Sequence, residues 1–243
     1  MALYRYVKAP PKQNRKPQTV ASAVLMVGGF GLLLWTVWPI LSFSTFSENF
    51  LTKTISPIGT NGDIAFRGKP ATLPEVVKAE ENVDMKYSNV NSWFPGNTQK
   101  KVIAPVTTYT LSIPKLNIED ASVTVAGDDL SVSLVHYGGT PNPGTYGNTV
   151  IFGHSSLPQF YNPKNYKSIF STLPTLKNGD VITISYDGVK FSYVVFDLIV
   201  VEPTDLTPLE QKFDDSYITL VTCVPPGTYW KRLNVKARLE RSL

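Results

Sequence analysis

The sequence predicts an all-β domain that folds as a closed or nearly closed β-barrel with a few short helices, preceded by one N-terminal transmembrane helix. Three observations lead to this prediction. An uncharged apolar stretch lies near the N-terminus, short β-rich runs recur after residue 106, and helical periodicity is scarce among those runs. Residues 106–243 are also numerous enough to bury a hydrophobic core of their own.

The apolar stretch is long enough to cross a bilayer. Val20–Phe43 carries no formal charge, and at ~1.5 Å per residue a helix of this length spans a hydrocarbon core of ~30 Å. Trp35 and Trp38 near its far end suit the membrane interface. A cleaved signal peptide is the alternative, but its apolar region is usually shorter and is followed by an A-x-A-like site. We therefore predict a signal-anchor helix over residues 19–43.

The residues before this helix form a basic tail over residues 1–18 with no acidic residue. A positive tail favours a cytoplasmic N-terminus and an external position for everything after the helix. The same five charges exceed the formal net charge of +4, so the external portion is close to neutral and nucleic acid is not an expected partner. The five basic residues are Arg5, Lys8, Lys12, Arg15 and Lys16.

Residues 44–105 predict an extracellular stem. They are polar, rich in turn-forming Gly and Pro, and poorly periodic, apart from a short helical pattern at Pro74–Glu81. Trp93-Phe94-Pro95 is the aromatic group of this segment. It could dock on the following domain as a flap, or it could form a local hydrophobic clip in a mobile stem. The composition of the segment favours the clip.

Residues 106–243 contain seven candidate strands, each bounded by Gly, Pro, Asn or Asp. Asp187-Gly188 between two of them predicts a hairpin, because glycine supplies the positive φ that tight hairpin turns require. We predict one short helix at Tyr166–Leu173 and turns at Leu130–His136 and Leu206–Lys212. The candidate strands are Tyr109–Ile113, Ser122–Ala126, Asn148–Phe152, Val181–Tyr186, Phe191–Val201, Tyr217–Cys223 and Leu233–Leu239.

Cys223 is the only cysteine, so it forms no disulfide within the chain. It ends a candidate strand, and Arg232 begins the next, so the two side chains meet at one barrel rim if these strands pair. His154 follows another strand end. A thiol, an imidazole and a guanidinium together suit nucleophilic attack on an amide. Each residue also has a structural alternative: a buried filler, a turn cap or an exposed strand residue.

The second histidine, His136, precedes Gly138-Gly139 and is interpreted as a structural turn residue. One cysteine and two histidines without close spacing form no recognisable metal site, so no metal is expected.

The linear motifs favour the catalytic interpretation. Thr219–Cys223, followed nine residues later by Arg232, resembles the TLxTC…R signature of sortases. Pro143–His154 is similar to the PG-x-x-GN…GH segment of that family, and Leu176–Asp180 is similar to its L-x-x-GD turn. The resemblance extends from about Leu111 to Leu239 in family order.

The resemblance implies a cysteine transpeptidase built on an eight-stranded β-barrel. Cys223 matches the nucleophile, His154 the general acid/base, and Arg232 the residue that orients substrate and stabilises the oxyanion. It further implies, for substrate binding, that Thr222 lines the site and that the loop after residue 202 shapes the pocket for the sorting motif. The loop residues expected to contact substrate are Pro203, Leu206 and Leu209.

The resemblance also implies the partners. Sortases cleave a C-terminal sorting signal of LPxTG type in surface proteins, between Thr and Gly. They then transfer the protein to an amine of a cell-wall precursor or of a pilin lysine, at the cytoplasmic membrane. No cofactor is expected, because the thioester conserves the energy of the cleaved bond. The class, C-, D- or E-like, stays open, and Trp93-Phe94-Pro95 could form the N-terminal lid of pilin-type members.

Two other functions, and hydrolysis in place of transfer, are alternatives to this interpretation. An L,D-type transpeptidase would carry a different Cys and His segment. A catalytically silent or autoinhibited membrane-tethered barrel could serve adhesion or surface assembly. Hydrolysis of the thioester competes with transfer wherever water reaches it.

Overall fold

The computed structural model describes residues 16–50, 88–93, 99–100 and 105–241. Helix α1 spans Lys16–Phe50, and its stretch Val20–Trp38 has a mean hydropathy of 2.0 and is long and apolar enough to span a membrane. The helix therefore forms where the sequence predicts one and continues beyond residue 43. The predicted helix at Pro74–Glu81 and the pair Phe94-Pro95 lie outside the described residues.

Eight strands form a closed barrel, which confirms the predicted fold class. They are β1 Thr108–Ile113, β2 Ile118–Val125, β3 Leu134–His136, β4 Gly147–Phe152, β5 Val181–Tyr186, β6 Val189–Val201, β7 Ser216–Val224 and β8 Lys231–Leu239. Around the barrel the strands follow the order β1-β2-β3-β4-β7-β8-β6-β5, with β5 pairing back to β1.

The parallel pairing of β4 with β7 determines which residues meet at one rim. Phe152 lies opposite Val221, so the ends of both strands reach the same rim of the barrel. Strand β8 runs antiparallel to β7 and begins at this rim. The C-terminal ends of β4 and β7 and the N-terminal end of β8 therefore lie at the same rim of the barrel.

Alternation along the strands gives the barrel wall two apolar faces. Inward-facing residues of β7 and β8, such as Leu220 and Val235, join the main core inside the barrel. Val221 and Cys223 belong instead to a second, outer cluster on the other face of β7. The outer cluster, as we call it below, consists of Val90, Trp93, Leu130, Val135, Tyr137, Val150, Phe152, Val221 and Cys223, with Leu209 and Tyr229 packed against it.

Two local predictions are wrong. Leu134–His136, predicted as part of a turn, is strand β3, which is three residues long and held between β2 and β4. Residues 166–172 form turns, and only Leu173 of the predicted helix is helical, as the start of the short 3-10 helix Leu173–Thr175. The backbone N–H groups of Ser168 and Ser171 donate to the carbonyls three residues earlier, those of Asn165 and Ser168, so the segment closes separate turns and not a continuous helix.

The predicted hairpin is present between β5 and β6. Asp187 and Gly188 have φ values of 50° and 75°, as a tight hairpin turn requires. All seven candidate strands are found, with ends that shift by a few residues.

Candidate active site

Cys223 and Arg232 lie directly opposite each other on β7 and β8. Both side chains are on the outer face, because the flanking residues Val224 and Leu233 point into the barrel core. Cys223 is 1% exposed and Arg232 is 2% exposed. The strand register therefore places the thiol of Cys223 beside the guanidinium of Arg232 at one rim, as predicted.

The Arg232 guanidinium is buried beneath an aromatic ring. Its central carbon lies 4.8 Å from the centroid of the Trp93 ring, which is a cation–π contact. Nη1 donates to the carbonyl oxygens of Tyr229 and Lys231 at 3.2 and 3.3 Å. Nε has no acceptor among the described residues. Part of the donor capacity of this cation is thus still available for a ligand oxygen.

His154 stands immediately after β4, separated from it by Gly153. The histidine is 8% exposed, and its ring centroid lies 6.0 Å from that of Trp93. Gly153 allows this close packing, because a Cβ there would lie 2.5 Å from the Phe170 ring and 2.6 Å from Leu134. The backbone N–H of Phe170 donates to the carbonyl of His154 at 3.0 Å, which fixes the other side of the loop.

Two side-chain hydrogen bonds hold the histidine loop against the end of β7. The Thr222 hydroxyl donates to the Gly153 carbonyl at 2.8 Å, and the Ser155 hydroxyl donates to the Cys223 carbonyl at 2.6 Å. Together they bracket His154 on both sides. The three predicted catalytic residues therefore lie at one rim. The two hydrogen bonds that hold them there are made by Thr222, which precedes Cys223, and by Ser155, which follows His154.

Trp93 covers this group of residues. It is fully buried, meets Phe152 edge-to-face at a centroid distance of 5.6 Å, and contacts His154 and Arg232 as described. Val90 beside it is also fully buried in the outer cluster. The mobile-clip interpretation therefore does not describe residues 88–93, which dock on the barrel.

Hydrogen bonds attach this covering segment to the loop after β2. Val90 N–H donates to Asp128 O at 3.0 Å, and Leu130 N–H donates to Ser88 O at 2.9 Å. The Asn91 amide donates to the Asp128 carboxylate at 2.8 Å. Residues 88–93 are thus bound through both their backbone and their apolar side chains.

Burial controls the chemistry of the thiol in this closed arrangement. Desolvation raises the pKa of Cys223 from its ordinary value of 9.0 to about 11, although the nearby Arg232 cation acts in the opposite direction. The side chain is therefore a neutral thiol at neutral pH. A thiolate requires either solvent or a closer cation than this arrangement supplies.

A family model described as a sortase domain matches residues 111–240. The chain belongs to the sortase family. Members of this family are cysteine transpeptidases. The matched segment begins within β1 and ends just after β8, so it covers the barrel and the rim described above.

Solved sortase structures resemble the chain at low identity. A Clostridium perfringens Sortase D5 transpeptidase is 26% identical, with a TM-score of 0.48 over 58% of this chain and 83% of that one. Sortase A from Corynebacterium diphtheriae, as a lid mutant, is 29% identical, with a TM-score of 0.49 over 57% and 72%. Sortase C-1 from Actinomyces oris is 29% identical, with a TM-score of 0.49 over 58% and 76%. No curated protein matches the chain.

The residues of this sortase that the sequence predicts for substrate binding fall into two groups. Leu209 packs against the outer cluster, whereas Leu206 is 44% exposed and Pro203 is half-buried in the same loop. Thr222 lies on the opposite face of β7 from Cys223 and is fully buried. Direct substrate contact by Thr222 stays a prediction, and its hydrogen bond to Gly153 favours a positioning role.

Asn148 was not singled out by the sequence and anchors the loop between β6 and β7. Its amide donates to the carbonyls of Pro208 and Glu210 at 3.1 and 3.2 Å, and its oxygen accepts from the Thr219 hydroxyl at 2.8 Å. Because Asn148 is the second residue of β4, it connects this loop to the strand that ends near His154. Leu209, which packs against the outer cluster, lies in the loop that is held in this way.

His136 lies away from the loop that carries His154. It is 1% exposed, pairs opposite Ile151, and its Nε2 is 2.9 Å from the Thr140 hydroxyl. Burial lowers the pKa of His136 to about 4, so the ring is neutral at neutral pH. These contacts agree with the structural interpretation of this histidine. Within the described part of the chain, no three His, Cys, Asp or Glu side chains are grouped to hold a metal.

Proposed function

We propose that this chain is a membrane-anchored sortase that cleaves an LPxTG-like sorting signal and transfers the acyl half to an amine. The observation that carries the proposal is the register pair of Cys223 and Arg232 at the rim where hydrogen bonds of Thr222 and Ser155 hold the His154 loop. A thiol, a cation and an imidazole at one barrel rim are the groups that amide exchange requires.

The proposed reaction has two balanced halves. In the first, His154 accepts the proton of the Cys223 thiol, the sulfur attacks the carbonyl carbon of the scissile threonine, and the guanidinium of Arg232 stabilises the developing oxyanion. The C–N bond then breaks as the imidazolium of His154 gives its proton to the departing amine. In the second, an acceptor amine attacks the thioester, loses its proton to His154, and the sulfur leaves.

The buried thiol supports a closed resting state. Val90 and Trp93 are buried in the same outer cluster as Cys223, and burial holds the pKa of the thiol near 11, so we infer that attack requires these two side chains to leave. We propose that residues 88–93 act as the lid that the stem was predicted to supply. Among the alternatives, the burial of Cys223 also favours an autoinhibited membrane-tethered barrel over one that is catalytically silent.

The membrane topology follows from the charge pattern. Basic residues 1–18 would stay in the cytoplasm, residues 19–43 would span the bilayer, residues 44–105 would form the stem and lid, and residues 106–243 would act outside. Surface proteins with sorting signals and an amine of a cell-wall precursor or a pilin lysine are the proposed partners. Protease treatment of intact cells tests this topology, because it should digest an epitope placed at the C-terminus and spare one at the N-terminus.

The activity test uses the full chain in detergent micelles. LPxTG-like peptides are mixed with the protein and with either an oligoglycine or a lysine derivative, and products are followed by mass spectrometry. The expected products are a thioester on Cys223 and a peptide joined to the amine. Turnover by Cys223→Ala would contradict the mechanism. An absence of thioester in both the wild type and Trp93→Ala would favour the catalytically silent alternative.

A further inference from the structure

Asn234 is a buried polar residue on the face of β8 that carries Arg232. Strand alternation places both on the outer face, since Leu233 and Val235 point into the barrel core. Asn234 is 1% exposed, and its Oδ1 has no hydrogen-bond donor among the described residues. Buried polar atoms are nearly always paired, so an unpaired acceptor at this position requires an explanation.

The unpaired oxygen lies beside the proposed nucleophile. Asn234 is opposite Val221, just as Arg232 is opposite Cys223, so the two pairs are adjacent rows on one face. Rows that are two residues apart along a strand are about 7 Å apart. Val221 and Cys223 both belong to the outer cluster. The acceptor is therefore close to the reacting carbon and outside the structural core of the barrel.

The same face opens into a cavity beyond Asn234, in the direction away from Cys223. The next row, Thr219 and Lys236, lines a cavity of about 430 Å³. A second cavity of about 660 Å³ shares Tyr217 and Phe196 with the first. Beyond Cys223 in the other direction, the turn at residues 225–228 is largely buried. An extended chain that starts at Cys223 on this face therefore has room on the side of Asn234.

The two halves of a substrate peptide are separated by the strand order. His154 follows β4, on one side of β7, whereas Asn234 is on β8, on the other side. The departing amine has to meet the proton donor, so it faces His154. The acyl half, which stays on the sulfur, then lies toward β8.

We propose that Asn234 is a specificity-determining residue for the acyl half of the peptide. Its carboxamide oxygen accepts a hydrogen bond from an N–H or O–H group two to four residues before the scissile bond. This inference rests on the proposed function. The donor is either a backbone N–H or an amide or hydroxyl side chain, and both would pair the buried oxygen. A site built around such an acceptor rejects peptides that lack the donor.

The test compares the full chain in detergent, as wild type and as Asn234→Leu, each with and without Trp93→Ala to open the site. The peptides form matched pairs at every acyl-side position, Asn against Leu and Thr against Val, together with a series that is N-methylated at one backbone nitrogen at a time. The rate of thioester formation on Cys223 is measured by intact-protein mass spectrometry. Asn234→Asp retains an acceptor oxygen, and Asn178→Leu alters an exposed turn as the control.

We expect one position at which peptides with the donor react about 10- to 100-fold faster than their partners in the wild type. Asn234→Leu should lose this preference, while Asn234→Asp and Asn178→Leu should retain it. A preference seen only with N-methylated peptides assigns the donor to the backbone. Equal ratios in the wild type and Asn234→Leu at every position would refute the inference alone. No thioester with any peptide would refute the proposed function and this inference with it.

Discussion

Replacing Trp93 with alanine should expose the thiol of Cys223. Trp93 contributes a desolvated cation–π contact with Arg232, worth about 2 kcal/mol, and an edge-to-face contact with Phe152, worth about 1 kcal/mol. Loss of about 3 kcal/mol changes the ratio of closed to open forms by about 100-fold. The main core of the barrel lies on the other face of β7, so it should stay folded.

Exposure also changes the ionisation of the thiol. With the pKa near 11, about one Cys223 side chain in a thousand is a thiolate at pH 8. If opening returns the pKa to its ordinary value of 9.0, the thiolate fraction at that pH rises about 100-fold. The reactive species therefore becomes both more accessible and more abundant.

The assay is alkylation of the full chain by iodoacetamide across pH 7–11, followed by intact mass. Cys223 is the only cysteine, so alkylation of a thiol reports on this site alone. We expect Trp93→Ala to react at least about 100-fold faster than the wild type at pH 8, with a midpoint displaced to lower pH. The matched control is Trp230→Ala, since Trp230 is 62% exposed. A rate within threefold of the wild type, or an equal increase in the control, would refute the reasoning.

The remaining predictions concern the proposed site and its supports. His154→Ala should abolish thioester formation without lowering the melting temperature much, whereas His136→Ala should lower the melting temperature and leave the activity of the folded fraction intact; comparing activity with circular dichroism separates the two. Because the pKa of His136 is lowered to about 4, the folded state resists its protonation, so stability should fall as the pH drops from 6.5 towards 4, by up to about 3 kcal/mol. His136→Gln should flatten that decline in urea titrations, and an unchanged pH profile would argue against burial as the cause. Thr222→Val should cost about 1 kcal/mol and slow thioester formation, because the donor to the Gly153 carbonyl is lost; full activity would show that the Ser155 contact positions His154 by itself.

The sequence could predict Cys223 and Arg232 as neighbours because strand pairing follows simple geometry. Their strands are consecutive, the connection is short, and alternation decides the face. The position of His154 could not be predicted from strand geometry alone, because the parallel pairing of β4 and β7 joins segments that are far apart in sequence. The family motif supplied that information.

The position of Trp93 could not be predicted from its own surroundings. A segment rich in Gly and Pro carries no sign of where its aromatic residue will bind. The signal lay elsewhere, in the unbroken apolar run Val150–Phe152, which indicates a strand that is buried on both faces and therefore covered from outside. Strand β3 was missed because three residues are too few for a periodic pattern, and its neighbours supply the pairing.

The hydrogen bonds of Thr222 and Ser155 have a kinetic consequence. They hold the His154 loop against β7 while Trp93 still covers the site, so the reacting groups do not have to be assembled after it opens. Departure of the cover is then a first-order gate that precedes chemistry. If opening is slower than chemistry, the rate of thioester formation at saturating peptide should reach a plateau set by that gate, and the differences between sorting signals expected above should then appear only at low peptide concentration.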